Sequence, residues 1–349
     1  MSRNEDLEAA VLANPESPDV YLVYGDWLLE HGEPLGELVS LQAALVKSPR
    51  NASLRRRARA LLAAHEREWL GPFARDDHEW AFGFLQGLSL SDPTPARYRA
   101  LLELSAARFL RDLDIELDPH DRRANLSIVA EMAEAGLPRA LRRLGLVTVE
   151  DDPNQTRLGD VSVLYPRLGE LTELRIRAWE VRLGFIELPA LQAFSLTSSI
   201  ERDTLDVIGR ARWPELASLS LTWTTRDVAT PRPEAIAAAL LPMRTPKLRH
   251  LSLVGTGRGD GLLRALSSSP HLAQLTSLDL SRNHVTDEGA RELLSRKPAF
   301  AHLESIDLRE NDLSQDLCDE LLEAYDDVVD VDAQGEDLDE DDRYDEIQE

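Results

Sequence analysis

Two stretches of this chain, twenty-eight residues apart, repeat one spacing of leucines and asparagine. Leu275-Thr-Ser-Leu278-Asp-Leu280-Ser-Arg-Asn283-His-Val285 returns as Leu303-Glu-Ser-Ile306-Asp-Leu308-Arg-Glu-Asn311-Asp-Leu313. Both read L-x-x-L-x-L-x-x-N-x-L. Leu278 and Leu280 alternate with polar neighbours, so a short strand points its leucines inward and its Ser, Asp and Arg outward. Asn283 then turns the chain, and its amide can bond the main chain of neighbouring coils. One coil is too small to bury its own leucines at roughly 1.5–3 kcal/mol each against the entropy of ordering it, so coils must stack.

The strand template slides backward from these two copies. It fits at Leu85/Leu88/Leu90, Leu110/Leu113/Ile115, Leu141/Leu144/Leu146, Leu171/Leu174/Ile176, Leu191/Phe194/Leu196, Leu216/Leu219/Leu221 and Leu248/Leu251/Leu253. Successive second positions are 25, 31, 30, 20, 25, 32, 27 and 28 residues apart. Helical patterns fill several intervals: 95–107, 124–135, 233–241, 261–268, 287–295 and 314–325. The 20-residue step from Leu174 to Phe194 leaves little room for a helix, so that segment should be extended. Val329-Asp-Val331 offers a final strand. This pattern resembles the leucine-rich repeat of the long, helix-backed, ribonuclease-inhibitor kind. The resemblance implies an α/β solenoid, a horseshoe of about nine or ten repeats over 73–332, with a parallel sheet on its concave side.

Residues 4–70 read as four helices. Asn4 can cap the first, to Ala13, and Ser17 followed by Pro18 opens the second. The second carries Tyr21, Tyr24 and Leu28 beside Trp27 and stops at His31-Gly32. The third, 35–47, carries Leu38, Leu41 and Leu45; the fourth, 53–69, carries Leu54, Leu61, Leu62 and Trp69. Within them Val23, Tyr24, Asp26, Trp27, Leu28, Glu30, Gly32, Pro34, Gly36 and Gln42 match a "VYADWLEERGDP-G" string and its following "LQ" helix. That wording is similar to the short bacterial repeat-companion domain that precedes leucine-rich repeats. Gly25, His31 and Leu38-Val39 depart from the family's usual residues. The resemblance implies a small all-helical cap over 1–72 and no defined biochemical role.

Charge narrows the partner. The chain has a formal net charge of −24, and residues 326–349 hold thirteen Asp/Glu against one Arg. An acidic chain repels phosphate backbones, which argues against nucleic acid and favours a protein partner, a basic one above all. The run Arg55-Arg56-Arg57, with Arg59 and Arg67 but also Glu66 and Glu68 nearby, reads as a solvated helix face. Residues 333–349 are too charged to pack and read as a disordered tail. One cysteine, Cys318, an acidic N-terminus and the lack of a long apolar run together suggest a cytoplasmic protein with no membrane span.

In the repeat register, the residues between the leucines face outward. The candidate partner-binding set is Asp112, Asp114, Glu116, Arg143, Glu173, Arg175, Arg177, Ser220, Thr222, His250, Asp279, Asp307 and Arg309. Trp179 and Trp223, just past strand ends, join it as possible anchors. No catalytic, metal or cofactor residues are expected. Asp112, Asp114 and Glu116 alternate roughly 7 Å apart on one strand without a ligand loop. Gly255-Thr-Gly257-Arg-Gly259-Asp260-Gly261 looks like a dinucleotide loop but has Asp260 where the motif needs glycine, so a repeat turn is the better reading. The function expected is a non-enzymatic scaffold or adaptor. The alternative is an acidic inhibitor or immunity protein that neutralises a basic toxin or nuclease.

Overall fold

Asparagine and proline set the first helices. Asn4 Oδ1 accepts from Leu7 N at 3.2 Å and starts α1 (Glu5–Ala13), and Pro18 occupies the first turn of α2 (Pro18–Glu30). After α3 (Leu35–Lys47), Asn51 accepts from Ser53 N and Leu54 N at 3.1 and 3.2 Å and starts α4 (Ala52–Leu70). Helices α2 and α3 cross at two glycines. A Cβ on Gly36 would lie 2.3 Å from the Gly25 carbonyl oxygen, and one on Gly25 would lie 2.9 Å from Val39. The glycine that departs from the companion pattern is therefore what lets Val39 pack there.

The computed structural model describes residues 3–148, 156–224, 230–240, 243–269 and 271–335; the acidic run from 336 onward lies outside them. The chain forms two units, residues 1–181 and 182–349. In the first, a hairpin of β1 (Asp77–Ala81) and β2 (Phe84–Leu90) is continued in parallel by β3 (Asp112–Leu117), β4 (Arg143–Thr148) and β6 (Glu173–Arg177). Strand β5 (Arg157–Asp160) pairs with β7 (Glu180–Arg182) in a separate small sheet. The α5 helix (Pro95–Glu103) and α6 (Arg122–Ala135) back the coils. In the second unit, β8 (Ala193–Ser198), β9 (Ser218–Trp223), β10 (His250–Val254), β11 (Ser277–Asp279), β12 (Ser305–Asp307) and β13 (Val329–Asp330) run parallel. Helices α7 (Arg202–Gly209), α8 (Pro233–Leu240), α9 (Gly259–Leu266), α10 (Asp287–Ser295), α11 (Lys297–Phe300) and α12 (Gln315–Tyr325) alternate with them.

The leucine register holds throughout. Leu88, Leu113, Leu144 and Leu174 are partners across the first unit, as are Phe194, Leu219, Leu251, Leu278, Ile306 and Val329 across the second. All ten are buried. The segment between Arg177 and Ala193 contains no helix, as its length requires. Helices α7 and α11, the small sheet of β5 and β7, and the antiparallel strand β1 that closes the first sheet lie outside the sequence reading.

Hairpin and helices share a core. Tyr21, Tyr24, Leu28, Leu38 and Val39 pack with Phe84 and Phe109. Gln42 pins the hairpin turn: its Oε1 accepts from Gly83 N at 2.6 Å and its Nε2 donates to Trp80 O at 3.4 Å. Gly83 has φ 78°, and the Val39 methyl would lie 2.4 Å from any Cβ there, so only glycine suits this turn. Glu8, almost fully buried, accepts from Arg108 at 2.9 Å and from Tyr24 at 3.2 Å, tying α1 and α2 to the turn before β3. Burial presses upward on the Glu8 carboxyl, but Arg3 and Arg108 outweigh it and hold the group below its usual range.

Candidate functional site: the polar face of the sheet

Turning every second side chain inward leaves the others in lateral rows on the opposite sheet face. In the first unit one row is Glu79, Gly87, Asp112, Arg143 and Glu173; the next is Asp77, Ser89, Asp114, Gly145 and Arg175. These rows surround an open polar cup of about 490 Å³, lined by Asp77, Glu79, Asp112, Asp114 and Glu173 with Arg143 and Arg175. Gly87 lowers its floor. The acidic and basic residues, which in sequence suggest an acidic patch beside a basic stripe, are interleaved and paired.

Arg143 donates to Asp112 on the neighbouring strand, and that hydrogen bond, more than the accompanying charge, raises the guanidinium's pKa. Arg175 reaches farther. Its Nη2 lies 2.8 Å from both Asp114 oxygens, although β4 runs between the two strands that carry them. Gly145 makes this possible: a Cβ there would lie 2.1 Å from Asp114 Oδ1. Arg175 Nε also lies 3.5 Å from Glu173. Both arginines are thus engaged, while Asp77 and Glu79 are exposed and have no hydrogen bond or ion pair among the described residues. Five carboxylates against two guanidiniums leave the cup net negative. Glu116, one row on, accepts from Ser89 Oγ at 2.8 Å, and Arg177 lies in its row beyond Val147. His78 sits at the rim and points its Nε2 to Glu66 at 3.0 Å.

The second unit carries the rest of the candidate set. Ser195, Ser220, Ser252, Asp279, Asp307 and Asp330 make one row, and Ser252 Oγ donates to Asp279 at 2.8 Å. Arg309 donates to Asp307 at 2.6 Å and lies 3.4 Å from Asp330, so a cation is held between like-charged neighbours. Thr222 is half-buried and His250 exposed on the same face.

Trp223 requires a correction. It is the last residue of β9, on the leucine parity, only 6% exposed, and its Nε1 donates to Ile200 O at 2.9 Å. It is a core residue and not a surface anchor. Trp179, after β6, stands half-buried. Sequence reasoning missed Asp77 and Glu79. Their signal was the alternation Asp77-His-Glu-Trp-Ala81 ahead of Phe82-Gly83, a strand and turn standing immediately before the first leucine template.

The asparagines are turn chemistry. Asn283 Oδ1 accepts from Thr256 N at 2.8 Å, and Asn311 Oδ1 accepts from Asn283 N and Val285 N, both at 2.9 Å. Gln334 takes the same place after β13, accepting from Leu313 N at 3.2 Å. The dinucleotide-like loop is also a repeat turn: Gly255 and Gly257 have φ 79° and 65°, and Asp260 accepts from Thr286 N and Oγ1 at 2.8 and 2.7 Å. Among the described residues no group of three or more His, Cys, Asp or Glu is placed to hold a metal ion, and no helix is long and apolar enough to cross a membrane.

Known proteins agree on the architecture. The family model described as leucine-rich repeat matches residues 271–294. No curated protein matches. Among solved structures, a protein from Bacteroides fragilis superposes with TM-score 0.62 at 19% identity, covering 81% of this chain and 84% of that one. InlP of Listeria monocytogenes is matched at 15% identity over 78% of this chain and 68% of that one, but its TM-score of 0.33 carries no weight. From the register of its coils, the asparagines that join them, the match over residues 271–294 and the superposition on the Bacteroides protein, the chain has a leucine-rich-repeat fold.

Proposed function

We propose that this chain is a non-enzymatic interaction module, a scaffold or adaptor that binds a basic protein partner on the polar face of its sheet. One observation carries the reading: the cup of the first unit spends both its arginines on Asp112 and Asp114, and Asp77 and Glu79 make no hydrogen bond or ion pair among the described residues. Cationic side chains of a partner would complete it, and the excess field would speed their encounter. The helices of residues 1–72 serve as the cap of the repeats. The chain works in the cytoplasm, where its one thiol, the buried Cys318, stays reduced. The same charge excess favours a narrower second reading, an acidic inhibitor of a basic toxin or nuclease.

Affinity capture, comparing wild type with an Asp77→Lys/Glu79→Lys variant, tests this. A partner of basic composition retained by wild type, released by salt and lost from the variant is the expected result. Equal retention by both proteins would remove the cup from the interface. Turnover of a substrate by the isolated chain would overturn the non-enzymatic reading.

A further inference from the structure

The cup has a counterpart on the same unit. From residue 38 to residue 65 the chain contains no Asp or Glu, yet it carries Lys47, Arg50, Arg55, Arg56, Arg57 and Arg59. This is the reverse of a chain whose net charge is −24. Of the α4 arginines, Arg55, Arg56, Arg57 and Arg59 stand in the N-terminal half of the helix, and only Arg67 lies in its last turn. The first turn of α4 has no acidic residue, whereas α1, α2 and α3 each place at least one there. Cations near a helix N-terminus oppose its dipole, and Arg55 and Arg59 repel each other one turn apart. Folding does not explain them all. Arg57 pairs with Glu37 at 2.9 Å and Arg55 donates to the Pro49 carbonyl, but Arg50, Arg56 and Arg59 are exposed and have no hydrogen bond or ion pair among the described residues.

We infer that the arginine face of α4 docks in the carboxylate cup of a second copy of this chain. The proposal rests on the reading of the cup as a docking surface for cationic protein groups, and it names the partner. Complementarity carries it: unpaired guanidiniums on a convex helix, and unpaired carboxylates in a hollow whose Glu79 and Asp112 flank the low Gly87 across two strand spacings. That separation is about 10 Å, close to the width of a helix. A nucleic acid would meet the same arginines, but its charge runs along its whole length and is repelled by the rest of the molecule. The cup presents its carboxylates only where α4 would sit. Because the two surfaces differ, the contact is head-to-tail, and a pair leaves the cup free on one copy and the arginine helix free on the other. Two chains of −24 also repel at long range, so association is strongest at intermediate ionic strength: at low salt the whole charges act, at high salt the contact itself is screened.

The test is sedimentation velocity of the full chain across concentration and salt. Wild type should gain mass with concentration, most at intermediate salt. An Arg55→Glu/Arg56→Glu/Arg59→Glu variant and an Asp77→Lys/Glu79→Lys variant, folded as judged by circular dichroism, should each stay monomeric. Mixed together they should form a single one-to-one species of twice the monomer mass and no larger one, because the cup of the first variant and the helix of the second are the one pair of unlike surfaces left intact; a mixture showing no such species overturns the proposal. So does wild type that is monomeric throughout, or association that survives either variant. A duplex oligonucleotide bound through α4 by a monomeric wild type would also overturn it, assigning the helix to nucleic acid. If wild type is monomeric but still captures a basic protein through Asp77 and Glu79, this inference fails and the proposed function stands.

Discussion

Arg175 chelates Asp114 from two strands away, its Nη2 2.8 Å from each carboxylate oxygen, over a glycine that leaves the path clear. The pair sets the charge of the cup: it removes from play a guanidinium that would otherwise repel a cationic partner.

Gly145→Ala should separate this pair without unfolding the chain. The new Cβ would displace the end of a flexible carboxylate, and both partners are at least one-third exposed, so the stability loss should be below about 1 kcal/mol. A crystal structure of the variant in which Arg175 still holds both Asp114 oxygens would contradict the role given to the glycine.

Leu280→Asp should unfold the second unit. Leu280 is fully buried, and the change both empties its place and buries a carboxylate, a cost of about 4 kcal/mol or more. Wild-type circular dichroism and melting temperature in the variant would refute the register.

Asn311→Ala should weaken the joint between the last coils. It strips the acceptor from Asn283 N and Val285 N and the donor from Leu280 O, at about 1–3 kcal/mol for each orphaned buried group. Hydrogen exchange is the sensitive readout: the amides of 283 and 285 should lose protection before those of β9 do.

Trp223→Ala should cost about 3–5 kcal/mol in urea denaturation, as a buried aromatic does, whereas Trp223→Phe should recover most of that loss. A stable Trp223→Ala protein that had lost only partner binding would restore this residue to the surface.

Stability should also respond to pH through His78. Burial pulls the imidazole pKa down, but the Asp76 carbonyl and the Glu66 carboxylate outweigh it, and the net shift is upward from 6.5. A raised folded value means stability that is fully present below about 6.5 and lost as pH rises through the folded pKa. The difference in melting temperature between wild type and His78→Gln should therefore be larger below 6.5 than well above it. A constant difference across that range would show that the Glu66 contact contributes nothing.

The sequence by itself determined the scaffold. Inward leucines two apart, an asparagine three residues on and a 27- or 28-residue step at the end admit one stacked solution, and a one-residue slip would turn every leucine outward, so the register followed from local pattern alone. Asn4, Pro18 and Asn51 likewise marked their helices, because capping is settled within a few residues. Only the tertiary structure decided what the polar face is. Asp77 and Glu79 join Asp112 through an antiparallel strand outside the repeat, and Arg175 finds Asp114 sixty-one positions away because Gly145 has no side chain. Trp223 turned inward because β9 extends two residues past Leu221, and the pleat then places the ring on the core side. Pairings between strands depend on which side chains are short enough to let others pass, and no window along one strand contains that information.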